Sequence, residues 1–136
     1  MIVDTSALVA VLRREEGYSP ILDALIREES LIPTPVLLEF TRVAASEGNA
    51  PNPQAGALVA TLLGSRASVL PFGAEAASHA AEANVAHGRG NGRGGLLNVL
   101  DLMVLGCARS EGRPILCTGR DFAASGVDLH AASRPW

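Results

Sequence analysis

Between Leu96 and Ala108 the chain is apolar at nearly every position; the exceptions are Asn98, Asp101 and the small Gly106. A helix that is apolar almost all round is a buried helix, so this run predicts one over residues 98–110 with an acid set into it. Burying a carboxylate without a partner is strongly disfavoured. A cation or a hydrogen-bond donor is therefore expected beside Asp101. The opening Met1-Ile2-Val3-Asp4 has the same character: a short apolar run ends in an acid and is followed by Thr5, Ser6 and more apolar residues. Two acids placed where burial pressure is highest, far apart in sequence, point to one shared metal site.

The rest of the pattern alternates short apolar runs with amphipathic ones. Strands are expected over residues 1–4, 31–33, 68–71 and 114–118, with a short final one over 127–130. Helices are expected over residues 5–13, 19–27, 54–65 and 75–87. Thr34-Pro35 reads as an N-cap and first-turn proline, starting a helix that runs to Ser46. Gly48 to Pro53 reads as a turn between helices, and His87 to Gly95 as a glycine- and arginine-rich loop. Strands alternating with helices predict an α/β fold with a mostly parallel central sheet flanked by helices. No internal repeat or linker divides the 136 residues, which suit a single domain over 1–136.

Composition narrows the function. Hydrophobic residues make up 48% and charged residues 18%, as in a globular chain. Aromatics are only 4%, so Ala, Val and Leu must build the core. No apolar run reaches the roughly 18–20 residues that span a bilayer, so no membrane partner is expected. An acid at position 4, with no basic segment before an apolar one, argues against a signal peptide. Cys107 and Cys117 read as small buried hydrophobes rather than a disulfide framework, which fits a reducing cytoplasm. A net charge of −3 argues mildly against a nucleic-acid partner. Yet all 11 basic residues are arginines, whose planar fork suits phosphate; compositional bias accounts for that equally well.

Ligands of open α/β sheets bind outside the carboxyl ends of the strands. Asp4 ends the first strand, Asp121 follows the strand at 114–118, and Asp101 and Glu39 lie in the first turns of their helices. All four can converge at one sheet edge. Each also has an ordinary reading: Asp4 as a helix cap, Glu39 as a partner of Arg42, Asp121 as a turn residue, and Asp101 as an acid satisfied by donors such as Asn98. Carboxylates without a His or Cys pattern suit Mg²⁺, or Mn²⁺, better than zinc. Such a cation lowers the pKa of water and holds a phosphodiester for in-line attack. His79, His87 and His130 share no ligand spacing and read as surface or loop residues.

Met1-Ile2-Val3-Asp4-Thr5-Ser6-Ala7-Leu8 resembles the opening of PIN-domain proteins, especially VapC-type toxins of bacterial toxin–antitoxin pairs. Pro35-Val36-Leu37-Leu38-Glu39 resembles the second acidic motif of that family and Leu97-Asn98-Val99-Leu100-Asp101 stands where it has its third. Pro114 to Phe122 resembles the segment carrying the fourth. The order and spacing of four motifs make the resemblance specific along nearly the whole chain. It implies a PIN-like fold and a Mg²⁺-dependent endoribonuclease acting on RNA as a homodimer, held inactive by a cognate antitoxin whose tail covers the acidic groove. It implies further that Asp4 and Asp101 are the principal metal ligands, that Glu39 ligates the metal or orients its water, and that Asp121 completes the pocket.

Around these acids, Thr5, Ser6, Asn98 and Thr118 are candidate orienting groups or simple caps. The loop from Arg89 through Arg93 to Gly95 suits backbone approach to phosphates, or is a plain connector. An aspartate-nucleophile phosphatase would need a second acid two residues after Asp4, where Ser6 stands. A silent PIN domain that only binds RNA or protein would not need all four acids.

Overall fold

The computed structural model describes residues 1–45 and 51–134. Four short strands form one sheet: β1 (Ile2–Val3), β2 (Ser30–Pro33), β3 (Ala67–Leu70) and β4 (Ile115–Leu116), in the order β3-β2-β1-β4. Every pairing is parallel, with Ile2 opposite both Leu31 and Ile115. Parallel neighbours require crossovers, and helices supply them. Helices α1 (Thr5–Arg13) and α2 (Tyr18–Arg27) link β1 to β2. Then α3 (Thr34–Ala44) and α4 (Pro53–Leu63) link β2 to β3. Last, α5 (Ala74–His87) and α6 (Val99–Glu111) carry the chain from one sheet edge to the other. A short 3₁₀ turn, Ala123–Ser125, follows β4.

Strands β1 and β4 and most of β2 are buried on both faces, with Ile2, Val3, Ile32, Ile115 and Leu116 essentially inaccessible, whereas the edge strand β3 exposes Ser68 and Val69. This is the apolar signature of a parallel sheet covered by helices. With few aromatics, the packing relies on close approach. The buried faces of α5 are Ala76, Ala80 and Ala83, and α6 meets them at Gly106. A Cβ built on Gly106 would lie 2.2 Å from the Ala76 carbonyl oxygen. The two helix backbones therefore touch where a larger residue would hold them apart.

Three expectations need correction. Thr34 is not the N-cap of α3: Pro33 occupies that position, and Thr34 Oγ1 instead accepts from the Phe72 N–H at 3.2 Å, tying the start of α3 to the segment after β3. Helix α3 stops at Ala44; Ser46 and the first half of the expected turn, 48–50, lie outside the described residues. The expected strand at 127–130 is reduced to a single parallel bridge of Leu129 with Ile115, held by Ile115 N–H to Asp128 O at 2.9 Å and His130 N–H to Ile115 O at 2.8 Å. A second bridge joins Arg134 to Thr118. The C-terminal segment thus covers the outer edge of β4, which would otherwise expose unpaired backbone groups. Among the described residues no helix is long and apolar enough to cross a membrane.

Candidate active site

Asp4 leaves the carboxyl end of the central strand β1 and caps α1 in extended conformation. Its Oδ2 accepts from the Ser6 N–H at 2.9 Å and from the Ser6 hydroxyl. The same hydroxyl oxygen accepts from the Thr118 N–H at 2.9 Å, across 112 residues of sequence. Ser6 therefore locks the end of β1 to the chain leaving β4. Thr118 contributes its backbone N–H; among the described residues no hydrogen bond of its hydroxyl is recorded. Thr5, buried one residue before Ser6, donates its hydroxyl to Glu39 Oε2 at 2.6 Å. That bond brings the second turn of α3 to the same end of the sheet.

Asp101 enters from α6. Asn98 caps this helix, its Oδ1 accepting from the N–H groups of Leu100 and Asp101 at 2.8 and 3.0 Å. Asp101 reciprocates, its Oδ2 accepting from the Asn98 N–H at 2.8 Å, which closes a capping box. The ordinary reading of Asp101 as a satisfied acid thus holds for one of its oxygens. Asp121 is half-buried in the turn after β4. There Gly119, at φ +88°, adopts a conformation that side chains disfavour.

Electrostatics tie the four acids together. Asp4 is fully buried and its carboxyl is raised above the usual range, first by burial and further by Glu39, against the pull of the Ser6 bonds. Asp101 is raised from 3.8 to about 6 by burial, then by Asp4, Asp121 and Glu39, with the Asn98 N–H opposing. Glu39 thus lies within electrostatic reach of Asp4, and Asp4, Asp121 and Glu39 lie within reach of Asp101. Cys117 lies in the same field: burial first, then Asp4 and Asp101, push its thiol up to about 12, so it is inert here.

The donor set is all oxygen, which suits a hard cation. Among the described residues, no three acid, His or Cys side chains stand close enough to hold a metal ion as they are. A cation that retains several waters needs only one or two protein carboxylates, the number that Asp4 and Asp101 could supply.

The glycine-rich loop lies beside Asp121. Its cavity, about 180 Å³, is lined by His87, Arg93 and Gly94 on one side and by Asp121 and Ser125 on the other. His87, expected at the surface or in a loop, is partly exposed at the end of α5 and lines this cavity with Asp121, to which no spacing in the sequence links it. His130 is less exposed than expected: its side chain is 14% accessible and lies 3.0 Å from Glu28.

The chain matches the family described as PIN domain over residues 1–126. A VapC ribonuclease of Mycobacterium bovis is 33% identical over 129 residues, covering 93% of this chain and 96% of the relative. Ribonuclease VapC42 of Mycobacterium tuberculosis matches at the same 33% and the same coverage. Among solved structures, the Sarcin-Ricin loop cleaving toxin VapC20 of M. tuberculosis superposes with TM-score 0.71 at 20% identity, over 93% of this chain and 95% of that one. VapBC2 of Rickettsia felis, bound to a DNA fragment from its promoter, gives TM-score 0.71 at 17% identity over 99% of this chain and 97% of that one.

Proposed function

The chain belongs to the PIN-domain family, and from that premise we propose that it is a metal-dependent endoribonuclease toxin, hydrolysing RNA phosphodiester bonds and neutralised by a cognate antitoxin. The observation that carries this reading is that Asp4, Glu39 and Asp121, from three other segments, lie within electrostatic reach of Asp101, whose carboxyl is raised to about 6 by burial first and by these acids next.

Asp4 and Asp101 supply the oxygens for a divalent cation, Mg²⁺ or Mn²⁺. Glu39, held by Thr5, and Asp121 complete the acidic pocket. When bound, the cation stabilises charge building on a phosphoryl oxygen and makes water a better nucleophile near neutral pH. The chain's own part is positional. Ser6 fixes Asp4 against Thr118, the capping box fixes Asp101, and Thr5 fixes Glu39. Outer bonds of this kind hold ligands in one orientation before the cation arrives. Action as a homodimer, and in a reducing cytoplasm where Cys107 and Cys117 stay free, belong to the same reading.

The test is cleavage of RNA by the purified protein. EDTA should stop it, and Mg²⁺ or Mn²⁺ should restore it. Restoration by Zn²⁺ alone would count against an all-oxygen site.

A further inference from the structure

The loop joining α5 to α6 is wound into a fixed shape. Asn91 Oδ1 accepts from the N–H groups of Arg93 and Gly95 at 2.8 and 3.2 Å, and its amide donates to the Val85 carbonyl at 3.3 Å. The two ends are clipped by Arg89 N–H to Leu97 O at 2.7 Å and Leu97 N–H to His87 O at 3.0 Å. Where they cross, a Cβ on Gly95 would lie 2.2 Å from the Gly88 carbonyl oxygen, so only glycine fits. The loop is thus tied at its ends and through Asn91 by hydrogen bonds.

Its two arginines have different jobs. Arg89 Nη2 donates to the Leu96 carbonyl at 3.2 Å and braces the loop. The Arg93 guanidinium is exposed and, among the described residues, pairs with no carbonyl or carboxylate. Arg93 and Asp121 line the same cavity, yet no ion pair forms between them. A full guanidinium fork and the His87 imidazole therefore remain open to a ligand in a cavity whose far wall is one of the four acids.

We propose that this cavity is a phosphate subsite, holding a backbone phosphate of the RNA next to the scissile one through Arg93 and His87. The proposal rests on the ribonuclease reading above. The guanidinium matches phosphate in a planar, two-point contact. Sharing the Asp121 wall sets the subsite against one of the four acids. Contacts of this kind position a nucleic acid without reading its bases. Arg93 is accordingly a positioning residue and should act on KM rather than kcat.

The probe is a short single-stranded RNA labelled for cleavage and binding, used with the full chain in Mg²⁺ across a range of salt. Arg93→Ala should raise KM about 10-fold with kcat within about 3-fold of wild type, as befits loss of a charged hydrogen bond. Its binding should lose about 0.7 from the slope of log affinity against log salt, the share of one phosphate contact on a single strand. His87→Ala should raise KM less, by about 3-fold. Arg66→Ala, the same charge change beside the opposite end of β2, controls for net charge and should leave both quantities unmoved. Cleavage by wild type with unchanged KM and salt slope in Arg93→Ala, or a loss confined to kcat, overturns the subsite alone. A wild-type protein that neither binds nor cleaves RNA overturns the ribonuclease reading, and the subsite with it.

Discussion

Asp101 serves two masters, and its charge state decides between them. As the N3 residue of a capping box it stabilises α6, because a carboxylate near a helix N-terminus completes the exposed N–H groups and meets the dipole. As a half-buried acid within electrostatic reach of Asp4, Asp121 and Glu39, it resists ionisation until about pH 6, chiefly because of burial. An acid raised in the folded state binds more protons there than in the unfolded chain, so stability falls as pH rises through that interval. The cost is absent below 3.8 and fully present above about 6. Asp101→Asn keeps an oxygen to accept from the Asn98 N–H and sheds the charge. In EDTA it should melt at or above wild type at pH 7, by about 1 kcal/mol after allowing for the solvent that screens a half-buried group. That advantage should vanish below about pH 4, and RNA cleavage should fall by at least about 100-fold at every pH. Thermal melts across pH and a cleavage assay check both; a variant that cleaves like wild type would remove Asp101 from the site. The sequence already marked Asp4 and Asp101, because an acid inside an apolar run is conspicuous. It could not show that Ser6 links Asp4 to Thr118, since that bond spans 112 residues. Nor could it assign His87, whose neighbour Asp121 is brought close only by folding.

At the scale of elements, local signals decided most boundaries. Helix α1 runs over Thr5–Arg13 as expected, because Asp4 caps it and Arg14 ends it in the left-handed conformation at φ 52°. Helix α6 starts after Asn98 for the same local reason. Misjudged positions depended on distant partners. Thr34 has the right chemistry for a cap but spends its hydroxyl on Phe72, which arrives from beyond β3. The 127–130 segment has strand-like residues, yet only Leu129 finds a bridging partner on β4. The α5–α6 contact was least visible, since a glycine within a helix pattern reads as a defect until its neighbour is known. Gly106→Ala tests it. Alanine favours helix over glycine by about 1 kcal/mol, so an unpacked site would gain stability. Here the new methyl meets the Ala76 carbonyl oxygen, a backbone atom that cannot swing aside. Overpacking of this kind costs about 1–3 kcal/mol, and the melting temperature should drop by about 4–10 °C. A rise in melting temperature would mean that α5 and α6 are not in backbone contact.

Across the whole molecule, charge is arranged against its own substrate. The chain carries a net charge of −3, and of its 14 acids Asp4, Glu39 and Asp121 lie within electrostatic reach of Asp101 at one end of the sheet. RNA is repelled there until positive charge enters the cleft, and bound cations invert the local field. Any other source of positive charge competes for the same place. A guanidinium suits it well, since its fork can pair with two carboxylates at once and remains charged at every working pH. We therefore predict that the antitoxin inhibits by inserting an arginine or lysine among Asp4, Glu39, Asp101 and Asp121, displacing the cation and barring phosphate together. Two consequences can be measured. Replacing the inserted residue with alanine should weaken inhibition by about 10–100-fold, the worth of a charged hydrogen bond in a partly desolvated site. Raising Mn²⁺ should weaken the wild-type complex by mass action and should barely affect the alanine variant, which no longer competes with the ion. If every basic-to-alanine variant of the antitoxin inhibits fully, and Mn²⁺ leaves the complex unchanged, the partner must block RNA away from the acids, with the Arg93 loop the next surface to examine.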